Sequence, residues 1–482
     1  MAPSIKKNTV YSVVKSASSV IFPLISFPYA SRMLLADSLG KVNFSASIIS
    51  YFTLIASLGI ATYAVRECVK VRDDRARLEQ VGNQIFTINV LSMVFSYVLL
   101  AFTIVFTESL AEYRELLILQ SLAIAATALG ADWVNTAMED FKFIALRTIV
   151  FQATSLILLL LFVHSPNDYI AYACITVFSS AGANLANIVH RKKYCDLKLT
   201  CTIELGRHIR PIMLLFGIQI SQVIFVNSDI TILGFMCGNY EVGLYSLSVK
   251  IYTIINTMIA SIAWVLIPKL SHWFVQKNYQ EINQLLAYAL IFIVTLGLPC
   301  VVGLVVFAPD IIVIFGGTGF LEAASSLRIL AVALAASLIS GLLTNMIMIP
   351  SGRENICFIA SLISATLNIV LNMLFIPFFG FIAAAVTTAI SEVIGIIVVL
   401  PFVEKEIKLF GLRKRFLGPV CGSAGIVFIA ALASAFMDTS VTKTVCVFAG
   451  STVVYGIALI AFKNEFAIEA LCKLRSVLTR KV

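Results

Sequence analysis

Apolar stretches of helix length follow one another along almost the whole chain, separated by short polar breaks. They fall at roughly 9–31, 42–63, 83–107, 116–138, 144–164, 169–190, 211–235, 243–268, 284–307, 324–349, 356–377, 380–402, 416–437 and 442–462. The breaks coincide with charge clusters or with Pro/Gly signals such as His164-Ser165-Pro166-Asn167-Asp168 and Phe375-Ile376-Pro377-Phe378-Phe379-Gly380. Each stretch is close to the roughly 20 residues that cross a bilayer as a helix. The pattern predicts an all-α polytopic membrane protein with about fourteen transmembrane helices, short loops and no soluble domain. Lys6 and Lys7 ahead of the first run resemble a signal peptide, but the run continues to about Leu35 without a small-residue cleavage site and reads as the first span.

Single charges interrupt this greasy pattern at Lys15, Asp132, Asp229, Lys250 and Glu392. A charge at membrane depth costs at least a few kcal/mol, so it marks a polar cavity, a partner or a transported species. Around Lys250 the polar residues Ser246, Thr253, Thr257, Ser261 and Trp264 recur at helical spacing, which places all six on one face. Ser12, Lys15, Ser19 and Ser26 do the same in the first span, which Pro23 and Pro28 would bend. Two ammonium groups on such faces either hold an anion such as a phosphate or snorkel to the headgroups, since each lies six or seven residues from a span end. Arg32 is either an outer-rim anchor or part of a cavity mouth.

The acids are less able to snorkel. Glu392 lies beside Thr388, Ser391 and Gly395, and Asp229 lies below Gln219 and Gln222. Ser361, Ser364, Asn368 and Asn372 form a stripe in the eleventh span. These oxygen-rich groups either take H+ or Na+ and drive a cycle, or tie helices together as buried polar contacts. Asp132 with Trp133, followed by Glu139, Lys142 and Arg147, reads as an interfacial belt with a cytoplasmic salt bridge.

Composition agrees with a membrane protein: 60% of the 482 residues are hydrophobic and 13% charged. The net charge of +9 is topological. With the N-terminus inside, the inner segments carry 28 of the Lys and Arg residues and the outer segments 5, which also places the C-terminus inside. Nucleic acid is not needed to explain the charge. The ten cysteines are scattered singly, with Cys195 and Cys201 on an expected reducing, cytoplasmic loop, so neither a disulfide framework nor a metal site is indicated. The glycines of 315–320 are not followed by Gly-Lys-Ser/Thr and form no phosphate loop. The four histidines fall at span ends, and no enzyme site or cofactor is expected.

Phe44-Ser45-Ala46-Ser47 opens the second span and Tyr245-Ser246-Leu247-Ser248 the eighth, a faint internal repeat. It divides the chain into pseudo-symmetric six-helix lobes at 1–210 and 211–415, followed by two more helices and a basic tail in 416–482. Duplicated halves place a polar site at their interface. The tail at 463–482 reads as an amphipathic basic helix on the inner leaflet.

Several local patterns occur in a familiar order. Phe27-Pro28-Tyr29-Ala30-Ser31-Arg32 leads through Leu39-Gly40 to Phe44-Ser45, then Leu58-Gly59-Ile60, Tyr63 and Arg66-Glu67. Asp132-Trp133, Glu139, Phe141-Lys142 and Arg147 follow, then Val242-Gly243-Leu244-Tyr245-Ser246, Ile267-Pro268-Lys269, Asn368, Asn372, Ile376-Pro377, Gly380 and Ser391-Glu392. Over nearly its whole length the chain resembles the bacterial polysaccharide (O-antigen, Wzx-type) flippases. They are a branch of the superfamily that includes multidrug-and-toxin extruders and the peptidoglycan lipid flippase. The resemblance implies two six-helix lobes around a V-shaped cavity and alternating access driven by an ion gradient. It implies an undecaprenyl-diphosphate-linked oligosaccharide as substrate, moved from the inner to the outer leaflet of the bacterial cytoplasmic (inner) membrane. Membrane lipids, and the polymerase and chain-length regulator of the same pathway, would be its partners. The family's cationic lumen maps by helix and face onto Lys15 and Lys250, with Arg32 at its edge. Competing readings are a multidrug extruder of the same fold, a membrane polymerase or transferase, and a structural assembly partner. The first would want an acidic cavity, the second a large outer loop or a nucleotide-sugar site, and the third would not need buried charges of both signs.

Overall fold

The computed structural model describes residues 5–407, 413–436 and 441–469. Among the described residues the regular structure is helical, with no strand. Hydrocarbon leaves a backbone N–H or C=O no partner outside its own segment, and a helix satisfies them internally. Among the described residues eleven helices are long and apolar enough to cross a membrane, and Val447–Ala461 is a shorter apolar helix. The chain is thus an all-α, multi-pass membrane protein.

Two very long helices run on through a backbone break. The helix Ile5–Ser57 carries Leu35 at φ 61, ψ 178, and Glu354–Val399 carries Gly380 at φ 54, ψ −138. At about 1.5 Å per residue they would run about 80 and 70 Å, more than twice the ~30 Å hydrocarbon core, so the chain must turn at each break. The Pro377/Gly380 signal foretells the second turn. The first was expected as a loop between 31 and 42, yet helix resumes directly at Ala36. Leu35 holds a positive-φ extended backbone that ordinarily only glycine adopts, at a cost of about 1–3 kcal/mol. Its side chain is exposed, while Leu34 and Ala36 on either side are buried.

The chain forms two compact units. The first comprises Met1–Ser246 with Ile376–Gly380, the second Leu247–Phe375 with Phe381–Val482. The sequence division at 210/211 follows the repeat, whereas the helix Leu205–Cys237 and the start of Asn239–Ala260 pack within the first unit. There the chain passes very close to itself. A Cβ on Gly40 would lie 1.8 Å from the Asn239 carbonyl oxygen, and one on Gly243 1.9 Å from that of Ala36. The helix after Leu35 therefore meets the start of Asn239–Ala260 backbone against backbone.

Phe44 and Tyr245, the aromatic residues of the faint repeat, are both fully buried. Phe44 packs edge-on against Tyr113 and Phe235, with centroids 4.8 and 5.1 Å away. In the second unit Arg413–Phe436 packs against Val441–Ala461 and against Tyr279–Val306. The Tyr455 hydroxyl donates to the Thr295 carbonyl at 2.6 Å and the Asn464 amide to Thr295 Oγ1 at 3.1 Å. The predicted tail helix lies mostly outside the described residues, as does the side chain of Trp264.

Candidate functional site

The basic candidates fall in different units. Lys15 is half-buried on the first helix, and its carbonyl accepts the Ser18 and Ser19 hydroxyls at 2.7 and 3.1 Å. Arg32 is exposed near the end of the same helical arm. Lys250, in the second unit, is half-buried. One and two turns on, Thr253 and Thr257 are exposed. Thr257 donates its hydroxyl to the Thr253 carbonyl at 2.7 Å, and Ser261 donates to Met258. Their protons are used within the helix, so outward they present oxygen lone pairs. The stripe seen in sequence therefore runs from buried Ser246 to open hydroxyls.

The acidic and amide candidates of the sequence reading belong to both units. Asp229, 4% exposed, belongs to the first unit, and its Oδ2 accepts the Tyr245 hydroxyl at 2.6 Å. Two residues on, Thr231 Oγ1 lies 3.0 Å from Ser47 Oγ and 3.2 Å from the Tyr51 hydroxyl. Asn368, Asn372 and Glu392 belong to the second unit. The two asparagines are fully buried and mutually bonded, Asn372 Nδ2 donating to Asn368 Oδ1 at 3.0 Å while Thr387 donates to Asn372 Oδ1. Glu392 lines a cavity of about 240 Å³ with Asn256, Ser337, Ser340, Thr344 and Asn345. The stripe Ser337, Ser340, Thr344 has helical spacing and was legible in the sequence. Asn256 lies one residue beside the Thr253–Thr257 face, and only tertiary packing brings it to Glu392.

Charged residues near the expected cytoplasmic ends of the first unit form a tied network. Arg147 bonds Asp132 Oδ1 at 2.7 Å and the Ala183 carbonyl, the salt bridge that the spacing suggested. Asn187 donates to the same Asp132 oxygen at 3.3 Å, and Arg72 pairs with Glu139 at 2.7 Å. Asp140 accepts from His190 Nε2 at 2.8 Å, the Tyr194 hydroxyl at 2.7 Å and the Phe143 amide at 3.2 Å. The His190 ring stacks on Phe143 with centroids 3.5 Å apart. Burial works to raise the Asp140 carboxyl, but those hydrogen bonds hold it below its ordinary value. Burial pushes the neighbouring Cys195 thiol up to about 11, so it is an inert core group. His208 is fully buried between the Tyr63 hydroxyl and Gln84 Oε1, each at 2.7 Å. Since Gln84 Oε1 only accepts, Nε2 carries the proton and Nδ1 accepts from Tyr63.

The segment after His190 was expected as a plain loop. Instead it lies extended along Arg75–Phe106. The amides of Asp196, Lys198 and Thr200 donate to Glu79 Oε1, Asn83 Oδ1 and Thr87 Oγ1 at 3.2, 2.7 and 3.0 Å. Two residues of extended chain span about 6.6 Å and four of helix about 6 Å, so the two periods stay in register. Leu197, between two of those donors, is buried beside Gly82.

The structure is thus a multi-helical membrane fold with charges fully buried in the first unit and half-buried in the second. Residues 5–274 match the family model described as polysaccharide biosynthesis protein. The chain belongs to that family. It is 22% identical over 407 residues to the "Putative O-antigen transporter" of Shigella dysenteriae, covering 83% of this chain and all of that one. Its fold is similar to the lipid II flippase MurJ in an inward closed conformation, with TM-score 0.78, 18% identity, and coverage of 96% of this chain and all of that one. A multidrug-resistance MATE family transporter in an inward-facing conformation is a more distant likeness. Its TM-score is 0.59 at 15% identity, over 82% of this chain and 93% of that one.

Proposed function

We propose that this protein is a flippase that moves an undecaprenyl-diphosphate-linked oligosaccharide from the inner to the outer leaflet of a bacterial cytoplasmic membrane. It does so by alternating access, for O-antigen, capsule or exopolysaccharide synthesis. The observation that carries the reading is its likeness, over 83% of its length, to a protein named "Putative O-antigen transporter", joined to the likeness of its fold to a lipid II flippase. Lys15 and Lys250 grip the diphosphate, with Arg32 at the edge of the path. The open hydroxyls of Thr253 and Thr257 offer lone pairs to sugar hydroxyls. Asp229, Asn368, Asn372 and Glu392 serve H+ or Na+ coupling. The chain acts as a carrier and not as an enzyme, with both termini in the cytoplasm and the pathway's polymerase and chain-length regulator as partners. A multidrug extruder of the same fold is disfavoured by the two lysines, which repel cationic drugs.

The test is reconstitution in liposomes with lipid-linked oligosaccharide in the inner leaflet and a membrane-impermeant oxidant outside. The protein should expose the sugars to oxidation. Exposure equal to that of protein-free liposomes would overturn the assignment.

A further inference from the structure

We propose that the recess beside Glu392 is a subsite for one uncharged sugar ring of the glycan, and that Glu392 makes it reject sugars bearing a carboxylate. The inference rests on the flippase reading for the source of the sugar, but the subsite is tested with free glycosides and without transport.

The recess lies entirely within the second unit. Its polar wall is Asn256, Ser337, Ser340, Thr344, Asn345 and Glu392, all half-buried, so each still meets open space. Six polar groups together are costly against hydrocarbon, so the opening belongs to a wet path and not to lipid. Asn256 stands three residues after Thr253, whose side chain is exposed on the same helix. Pockets for drug-sized ligands span about 300–1,000 Å³. A volume of about 240 Å³ suits a smaller body, such as a single sugar ring.

The hydrogen bonds of the wall decide which ligand chemistry fits. Asn256 Nδ2 donates to Ser337 Oγ at 3.2 Å, and Ser337 in turn bonds Glu392. Thr344 donates into its own helix, to the Ser340 carbonyl at 2.8 Å, and so turns oxygen lone pairs to the recess. The Ser340 hydroxyl and the Asn345 carboxamide have no hydrogen-bond partner among the described residues. Donors on Ser340 and Asn345 therefore stand beside acceptors on Thr344, Asn345 and Asn256. A sugar hydroxyl both donates and accepts, so a ring of hydroxyls uses both kinds. A bare cation would leave the amide hydrogens of Asn345 unused. A phosphate would meet a carboxylate, and the described wall holds no basic residue. Ala260, Ala263 and Leu338 complete the recess with apolar surface for the C–H face of the ring.

Thr344 and Asn345 are adjacent in sequence, and in an α-helix they would point about 100° apart. They lie in the π-helical turn Leu342–Met348, and both line the recess. Such turns concentrate at functional sites. The Glu392 carboxylate accepts hydroxyl protons from a neutral sugar, whereas a uronic acid would bring a like charge against it where water screens little. This selection is a role of Glu392 beside the coupling one given above.

Saturation-transfer difference NMR on the full-length protein in nanodiscs reads the binding of free glycosides. The probes are the methyl glycosides of glucose, galactose, N-acetylglucosamine and glucuronic acid. At least one neutral probe should receive saturation, with methyl glucuronide bound about tenfold more weakly. Ser340→Leu, which fills the recess, and Asn345→Ala, which only shortens a wall residue, should both reduce that signal, in preparations that elute as the wild type does. Glu392→Gln should bring methyl glucuronide up to the level of the neutral probe. No saturation of any neutral probe, a signal that survives both recess variants, or glucuronide held by the wild type as well as the neutral probes would each overturn the proposal. Failure of the flippase reading would appear instead as no sugar exposure in liposomes with these signals intact.

Discussion

The Tyr245 hydroxyl donates a 2.6 Å hydrogen bond to Asp229 Oδ2, joining the helices on either side of the turn at Gly238. Both residues are almost completely buried. A hydrogen bond to a charged or partly charged acceptor contributes about 1.5–3 kcal/mol. Tyr245→Phe should lower the unfolding midpoint of the detergent-solubilised protein, and Asp229→Asn, which can still accept from Tyr245, should lower it less. Equal midpoints for wild type and Tyr245→Phe would show that the pair does not hold these helices.

Lys250→Ala should abolish polysaccharide export while the amount of protein in the membrane stays normal. Lys250→Arg, which keeps the charge, should retain part of it. Complementation of a deletion strain, with immunoblotting of membranes, checks both. Full export by the alanine variant would remove Lys250 from the substrate path.

Asn83→Leu removes the middle acceptor of the ladder that holds residues 196–200 on Arg75–Phe106. Losing one bond of about 1 kcal/mol should speed exchange of the Lys198 amide about fivefold or more. Hydrogen–deuterium exchange on a peptide covering 195–201 measures it. Exchange unchanged in the variant would mean that Leu197 burial alone holds the segment.

The Asp140 cluster predicts an acid limb. A carboxyl lowered on folding contributes stability that is complete above its unfolded value near ~3.9 and is lost as pH falls through the folded value. Asp140 is held below its ordinary value, so the packing of His190 and Tyr194 should be steady from about pH 5 upward and weaken below about 4. Asp140→Asn should be less stable at neutral pH and should flatten that limb. Thermal unfolding across the acid range tests the sign.

The helical membrane class was legible because apolar length and the Lys/Arg bias act locally along the chain. The Asp132–Arg147 bridge was legible for a similar reason, since both residues sit near the inner ends of consecutive spans. The turn at Leu35 was not, because leucine carries no signal for positive-φ backbone. Nor was the His208 site, whose partners Tyr63 and Gln84 lie 145 and 124 residues away. Periodicity shows which face a residue shares but not what that face meets, and so the cavity that Glu392 shares with Ser337 and Asn256 was not legible.

The turns at Leu35 and Gly380 use no loop, and this bears on any map of sidedness. A method that counts crossings by their connecting loops would merge two crossings into one at each turn. The first merger inverts the apparent side of every segment after Leu35, and the second restores it after Gly380. Both ends of the chain would then be placed correctly and nearly everything between them on the wrong side of the membrane. Reporter fusions at 70–74, between the turns, would detect this error, whereas fusions at the ends would not.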